Sequence, residues 1–283
     1  MTESESSQAK VSDLLKNIYR CGNRDSWYSN VAKAYDRTRP RYSDRLITRL
    51  KDVVGLQPDK KILEIGCGPG IASLELAKMG VQSIGIEPSL SACEIAREKC
   101  ANYANIEFIN STFENCTLAE KQFDAVIATT SFHWVTPEIR TKKSASVLKD
   151  DGYLVLLWNT PPELNAEERK ILTPAYQTHL PELISTESLQ DHRRNLAKFG
   201  KEIIDSGYFQ DLETEEIILN VVYTVEEYLT LLTTLSSYIR LETSLRNTLL
   251  EELRKILEAQ YGDRLELSYL SMMQIAQKKG VPF

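Results

Sequence analysis

The chain has 283 residues, of which 42% are hydrophobic, 26% charged and 8% aromatic. This is the balance of an ordinary globular protein with room for one large domain or two small ones, and it excludes an intrinsically disordered chain. No apolar run is long enough to span a bilayer. The formal net charge of −6, from 34 basic and 40 acidic residues, argues against non-specific binding to nucleic acid.

The first ten residues, MTESESSQAK, are polar and rich in serine and acid, which is not the pattern of a signal or transit peptide. The five cysteines are an odd number and form no CxxC pair, so we expect reduced thiols and no disulfide or zinc framework. We therefore predict a cytoplasmic protein with no membrane attachment and no metal. Residues 1–60 carry 12 basic and 8 acidic side chains, which leaves an anionic substrate possible.

The pattern in the first half of the chain alternates between strands and helices. Residues 27–36 and 43–54 predict two helices, separated by Arg39-Pro40. Five strands are then predicted at residues 61–65, 81–86, 106–109, 123–129 and 153–158. Helices are predicted between them at residues 71–79, 89–101 and 136–148. This alternation predicts a parallel sheet with right-handed crossovers and helices on both faces.

The pattern changes after the fifth strand. Residues 164–179 and 188–204 predict helices and form a long insertion. Residues 217–223 predict a strand, and a capping box at Thr224 and Glu227 begins a helix through Leu235. A further helix at residues 241–261 and a final strand at residues 265–276 complete the chain. We expect the paired charges Lys142-Lys143 and Arg193-Arg194 to be solvated.

Residues 64–70, EIGCGPG, lie between the first strand and its helix and are the strongest functional signal. Alternate glycines let a backbone turn sharply and approach a ligand, and the next helix offers free N–H groups. The dinucleotide fingerprint GxGxxG fails because Ile71 stands at its third glycine, and Glu64 would repel a pyrophosphate. Glu87, at the end of the second strand, is placed to accept from a ribose diol. A nucleoside with a positive charge in place of phosphates fits these residues.

This loop, together with Glu87, resembles the motif of class I S-adenosylmethionine-dependent methyltransferases. It is similar in particular to the methyltransferase type 11 branch, which includes trans-aconitate-methyltransferase-like enzymes. The resemblance covers about residues 27–158 and includes AYDRTRPRY at 34–42, FDAVI at 123–127 and SFHW at 131–134. It implies an α/β, Rossmann-like fold: a seven-stranded, mostly parallel sheet in the order 3-2-1-4-5-7-6, with the last strand antiparallel, helices on both faces and a helical lid.

The resemblance also implies the cofactor S-adenosyl-L-methionine, the product S-adenosyl-L-homocysteine, and no metal. The cofactor-binding residues that it implies are Tyr35, Arg39, Glu64, Gly66, Cys67, Gly68, Gly70, Glu87, Pro88, Ser89, Thr112, Phe113, Thr129, Thr130 and His133. The family often has an acid where Thr112 stands, so backbone groups near Phe113 are expected to replace that contact with adenine.

Histidine and aromatic residues supply the candidates for chemistry and acceptor binding. His133 is a candidate general base or positioning group because its ordinary pKa is about 6.5; the alternative is a packed histidine that hydrogen-bonds the turn after the strand. The candidate substrate-pocket residues are Trp27, Tyr42, Trp134, Trp158, Tyr176 and Tyr238, although aromatic residues at such places are at least as often core.

We predict a single methyltransferase domain. Its parts are a flexible tail at residues 1–20, an N-terminal helical cap at 21–58, a cofactor-binding core at 59–159, a helical lid at 160–210, and strands and helices at 211–283 that complete the sheet. The expected activity is in-line methyl transfer to a small molecule, of which an organic acid carboxylate is one candidate, by a monomer or homodimer. The alternatives are a tRNA or protein methyltransferase and a non-catalytic S-adenosylmethionine-binding protein.

Overall fold

The sheet of the computed structural model has the predicted order. The structure describes residues 24–184 and 187–280, with side chains from residue 28 onward, so the predicted tail at residues 1–20 lies outside the described residues. The strands are β1 Lys61–Ile65, β2 Gln82–Glu87, β3 Ile106–Asn110, β4 Phe123–Thr129, β5 Leu148–Asn159, β6 Phe209–Tyr223 and β7 Leu265–Lys278. Their order is β3-β2-β1-β4-β5-β7-β6. Strands β1 to β5 pair in parallel, and β7 runs antiparallel to both β5 and β6.

Helices cover both faces of this sheet. In the described part of the chain they are α1 Arg24–Thr38, α2 Asp44–Val54, α3 Ile71–Lys78, α4 Leu90–Lys99, α5 Pro137–Val147, α6 Ala166–Arg169, α7 Thr173–His179, α8 Leu189–Asp205, α9 Val225–Thr233, α10 Ser236–Ile239 and α11 Thr243–Tyr261. The predicted cap Ser89 accepts from the Ala92 N–H at the start of α4, and capping boxes begin α8 and α9. None of these helices combines the length and the apolar character needed to cross a membrane.

Strand alternation divides the apolar side chains between two cores. One face of the sheet buries Leu63, Val126 and Leu156 against α5 and α8, and the other buries Ile62, Ile127 and Val155 against α2 and α3. Because successive strand residues point to opposite faces, the near-continuous apolar runs of β1, β4 and β5 are the pattern of strands buried on both sides. The sheet is therefore held from both faces.

A third core joins the lid to the C-terminal helices. Leu172 and Ala175, before and in α7, pack with Leu229 of α9 and with Leu249 and Leu253 of α11. Helix α8 packs instead on the sheet, through Ile203 and Phe199. The predicted boundary between a lid at 160–210 and a C-terminal part at 211–283 therefore crosses a shared hydrophobic core.

The predicted helix at residues 164–179 is wrong as a single helix. It is divided into α6, a 3₁₀ turn at Lys170–Leu172, and α7. Pro174 has no N–H to donate to the carbonyl of Lys170, and its ring crowds that carbonyl. The interruption turns α7 onto the third core.

Strand β6 begins at Phe209, eight residues before the predicted start. Its first half carries Glu213 and Glu215, which pair with Arg49 and Arg45 of α2, so its apolar alternation is weak. The pairing with β7 supplies its backbone hydrogen bonds, with an irregularity between Gln210 and Glu213. An edge strand of this kind depends on its neighbour more than on its own apolar pattern.

Gly70 connects the loop after β1 to helix packing. Its φ is 76°, and a Cβ there would lie 3.0 Å from the Ala96 Cβ and 3.1 Å from the Ala96 Cα of α4. Both the left-handed backbone and the close approach of α4 require glycine at this position.

We predict that Gly70→Ala lowers the free energy of unfolding by about 2–4 kcal/mol, because backbone strain and overpacking add. Gly55→Ala is the matched control: its φ is 65° and no atom lies within 4 Å of its Cβ position, so only the strain of about 1–2 kcal/mol applies. Urea denaturation of both variants measures the two values. Equal losses would show that the contact with Ala96 is unimportant.

Candidate functional site

A cavity of about 1160 Å³ opens where the parallel strands end. Gly66, Glu87, Thr129 and Asn159, which end or directly follow β1, β2, β4 and β5, all line it. Open α/β sheets place ligands at this edge. Pockets for one small ligand are commonly about 300–1,000 Å³, so the cavity has room for a cofactor and a second molecule.

The Glu87 carboxylate organises the end of the cavity over β2. One oxygen accepts from the Gly68 N–H at 2.9 Å, and the other accepts from the Ser89 N–H at 2.8 Å. The side chain is 8% exposed and lines the cavity. Because each carboxylate oxygen has a second lone pair, Glu87 can still accept from a ligand diol.

Glu64 is not on the cavity wall, although the family resemblance implies that it binds the cofactor. It is 1% exposed, and its oxygens accept from the Ser73 hydroxyl at 2.5 Å and the Thr129 hydroxyl at 2.8 Å. Burial raises the pKa of Glu64 to about 7, against the effect of these two hydrogen bonds. The side chain of this strand residue points under the loop, so Glu64 can reach a ligand only through neighbours such as Thr129.

The loop residues divide between cavity and core. Gly66 and Gly68 line the cavity, and a Cβ on Gly68 would meet no atom within 4 Å. This open side gives a ligand direct access to the backbone. Cys67 and Gly70 do not line the cavity: the Cys67 thiol is buried beside Gly85 and burial raises its pKa, while Gly70 packs on α4.

The turn after β4 holds Thr130 in a conformation that is uncommon for a residue with a side chain, with φ at 54°. Its N–H donates to the Leu157 carbonyl at 2.7 Å, and its hydroxyl accepts from the Asn159 N–H at 3.1 Å. The Tyr42 hydroxyl lies 3.1 Å from the Thr130 hydroxyl, and Tyr42 does not line the cavity. Tyr42 therefore supports the turn and is not part of the pocket wall. Strained backbone of this kind clusters at binding sites.

The loop after β3 brings Thr112 and Phe113 to the cavity beside Pro88 and Ser89. Lys143 of α5 holds this loop: its ammonium donates to the carbonyls of Phe113 at 2.6 Å and Cys116 at 2.7 Å. The prediction that Lys143 is solvated is wrong, since its charge is used on backbone carbonyls. No sequence pattern near Lys143 indicates these partners.

Helix α1 and Arg39, which directly follows it, cover the cavity. Tyr28, Tyr35 and Arg39 line it, and the Arg39 guanidinium lies 4.8 Å from the Tyr35 ring centroid. Arg39 also donates to the hydroxyl and the carbonyl of Thr234, at 3.0 and 3.1 Å. The backbone of Trp27 lies in α1, but its side chain is outside the described part of the structure.

Aromatic rings form the wall between β4 and α8. The His133 ring centroid lies 4.6 Å from that of Trp134 and 5.8 Å from that of Trp158, whose ring lies 4.9 Å from that of Phe199. Burial, together with the positive charges of Arg140 and Arg39, lowers the pKa of His133 to about 4. The imidazole is therefore neutral at neutral pH.

A polar group, which we call the lid cluster, lines the cavity over β5 and β7. It consists of Glu163, Arg169, Tyr176, His192 and Tyr238. Arg169 pairs with Glu163, and the hydroxyls of Tyr176 and Tyr238 are 2.5 Å apart. Of the residues in the lid cluster, the sequence predicted only Tyr176 and Tyr238 as pocket residues.

Several cavity residues were therefore missed: Tyr28, Ser131, Asn159, Glu163, Arg169, His192 and Phe199. Asn159 could have been found, because it directly follows the predicted fifth strand. Ser131 begins the SFHW element at 131–134, and the others lie in none of the motifs that carry the resemblance. Among the residues that the structure describes, no three or more His, Cys, Asp or Glu side chains group as metal ligands.

Comparison with known proteins agrees with this geometry. Residues 62–152 match a family described as a methyltransferase domain. Over 145 residues, 50% of its length, the chain is 28% identical to an uncharacterized methyltransferase of Mycobacterium tuberculosis and covers 57% of it. It is 32% identical over 141 residues to one of Alkaliphilus oremlandii, covering 47% of the chain and 63% of that protein. It is 26% identical over 163 residues to a demethylmenaquinone methyltransferase of Tropheryma whipplei, and this match covers 54% of the chain and 63% of that protein. The chain thus spans less than two thirds of these relatives.

Solved structures share the fold across the described sheet and helices. A candidate type II methyltransferase of Anaeromyxobacter dehalogenans superposes with a TM-score of 0.60 at 20% identity, covering 87% of this chain and 99% of that one. The phosphoethanolamine N-methyltransferase 2 of Haemonchus contortus superposes with a TM-score of 0.53 at 14% identity, and the match covers 92% of this chain and 59% of that one. Residues 62–152 therefore resemble a methyltransferase domain, and the sheet order is that of the fold these solved methyltransferases share.

The neutral state of His133 can be tested directly. We predict that its imidazole signal in NMR spectra does not shift between about pH 8 and 5.5, because the folded pKa is about 4 against about 6.5 for an ordinary histidine. The chain has 3 histidines, and loss of one signal in His133→Gln gives the assignment. A midpoint near pH 6.5 would contradict the buried, neutral state.

Proposed function

We propose that the protein is an S-adenosylmethionine-dependent methyltransferase that acts on a small molecule. The observation that carries the proposal is the pairing of Glu87 with the open face of Gly68, at the sheet edge of a cavity large enough for two ligands. The methyltransferase match and the relatives' names support the same activity. The Haemonchus contortus enzyme was solved with S-adenosylhomocysteine and phosphomonomethylethanolamine.

The residues present fit the cofactor. We assign Glu87 to the ribose hydroxyls, the backbone of Gly66 and Gly68 to the close approach beside them, and Thr129 with Thr130 to the methionine side. The wall for adenine consists of Pro88, Ser89, Thr112 and Phe113. Bound there, S-adenosylmethionine supplies a methyl group on a positively charged sulfur.

Helix α1 and the lid exclude water in this proposal. Tyr28, Tyr35 and Arg39 cover the cavity from one side, and residues of the lid segment cover it from another. Orientation and exclusion of water can supply much of the acceleration of an in-line transfer. In this proposal, the faster methyl transfer comes more from the cover formed by α1 and the lid than from one catalytic side chain.

We assign His133 to positioning. An imidazole with a pKa of about 4 is a weak base, and general-base catalysis is most effective when the pKa is near the working pH. It stands among the aromatic rings of the cavity wall, where it can orient an acceptor.

The trans-aconitate-like branch and its organic acid acceptors stay a hypothesis from the sequence resemblance. Arg169 is paired with Glu163, and Arg39 is bound to Thr234, so neither cation is clear of protein partners. A labelled-methyl assay on cell extract, separated by a small size cut-off, tests the acceptor class. Label in the small-molecule fraction is the expected result; label in protein or RNA would favour a macromolecular acceptor, and no label together with tight cofactor binding would favour a non-catalytic protein.

We predict that Glu87→Ala weakens binding of S-adenosylhomocysteine by about 1.5–3 kcal/mol, which corresponds to a lost charged hydrogen bond. Glu87→Gln should lose less binding free energy, because the glutamine amide oxygen can still accept a hydrogen bond. Glu94→Ala is the control, since Glu94 is exposed on α4 and does not line the cavity. Isothermal titration measures each affinity. Unchanged affinity in Glu87→Ala would remove the ribose assignment, and no binding by the parent protein would remove the proposed function.

A further inference from the structure

The lid cluster lies at a distance from the cofactor residues. Glu163 follows β5 and bridges to Ser268 of β7, whereas Glu87 ends β2. Strands β2 and β5 are three strand spacings apart in the sheet, or about 14 Å. A group bound at the lid cluster is therefore remote from the ribose site but within the same cavity.

Glu163 and His192 leave a gap in the lid cluster. One Glu163 oxygen pairs with Arg169, while the other lies 3.9 Å from His192 Nε2. That distance is too long for a hydrogen bond, and Nε2 is buried without a hydrogen-bond partner among the described residues. Buried polar atoms usually have partners. Because Nε2 has almost no accessible surface, a ligand hydroxyl reaches both groups only when the two side chains move apart; it could then donate to Glu163 and interact with His192.

The charges at this end disfavour an acidic group. The Arg169 guanidinium is used by Glu163 and by the Glu187 carbonyl, to which it donates at 2.7 Å. Lys170 pairs with Glu167 at 2.6 Å. A neutral hydroxyl needs no unpaired cation, whereas a carboxylate beside Glu163 would be repelled.

Flat rings line the route to the gap. Phe199 and His192 are two turns apart on α8, so they share one face of the helix. Phe199 lies against Trp158, and Trp158 lies against His133. Aromatic walls of this kind favour a planar ligand through offset or edge contacts.

We propose that the acceptor is a planar ring compound with a hydroxyl group remote from the methylated atom, and that Glu163 and His192 bind this hydroxyl. The inference rests on the proposed function, because it takes the β2 end of the cavity to hold the cofactor. It makes Glu163 and His192 specificity-determining residues.

The test uses three ring compounds of matched shape with the full chain saturated by S-adenosylhomocysteine. These are 6-methoxy-2-naphthol, 2-methoxynaphthalene and 6-methoxy-2-naphthoate, in which the methoxy group stands for a product methyl. We expect the naphthol to bind about tenfold more tightly than the other two, measured by fluorescence titration, which is the effect of one hydrogen bond to a charged group.

His192→Leu should abolish this preference and Glu163→Gln should reduce it, while His179→Leu should retain it. His179 pairs with Glu252 outside this cavity. Melting temperature and affinity for S-adenosylhomocysteine verify that each variant is folded. If Glu163→Gln proves to be unfolded, the result for His192→Leu is sufficient to test the inference.

Tighter binding of the naphthoate, equal binding of the three compounds, no binding of any, or an unchanged preference in His192→Leu would overturn the inference. Failure of the parent protein to bind S-adenosylhomocysteine would instead overturn the proposed function. The two failures are therefore distinguishable.

Discussion

The hydrogen bonds of the Glu87 carboxylate to the Gly68 and Ser89 N–H groups are the interaction on which the site depends. They join the loop after β1 to the end of β2, and they hold a negative charge at the cavity surface. Glu64 has a structural role beneath the cavity surface, where it accepts hydrogen bonds from the Ser73 and Thr129 hydroxyls. Two acids of one motif thus have different roles: one faces the cavity and the other binds the loop to β4.

The cavity combines a rigid edge and a variable cover. Strand ends supply Gly66, Glu87 and Thr129 from a sheet that is buried on both faces. The cover comes from α1 and from residues between β5 and β6, of which α7 packs with the C-terminal helices in a separate core and α8 packs on the sheet. This division suits the proposed function, because cofactor contacts can stay fixed on the sheet while the acceptor contacts change with the cover.

Much of the fold could be predicted because its signals are local. Apolar runs, caps and glycine stops placed β1 to β4 within about one residue at each end, whereas β5 begins at Leu148, before its predicted start at residue 153. The resemblance supplied the strand order. The errors have physical reasons. Pro174 interrupts a helix that periodicity alone extends, and the charged first half of β6 is stabilised by pairing with β7 and by Arg45 and Arg49, which are distant in sequence.

The sequence by itself determined the glycine loop, its acids and the sheet, because each needs only neighbouring residues or a period of two. Only the tertiary structure decided which side chains face the cavity. It turned Glu64, Cys67, Gly70 and Tyr42 away from the cavity, and it brought Glu163, His192 and Phe199 to the same cavity as Glu87. The reason is that side-chain direction and long-range packing, which no local pattern encodes, assign each residue to a wall or to the core.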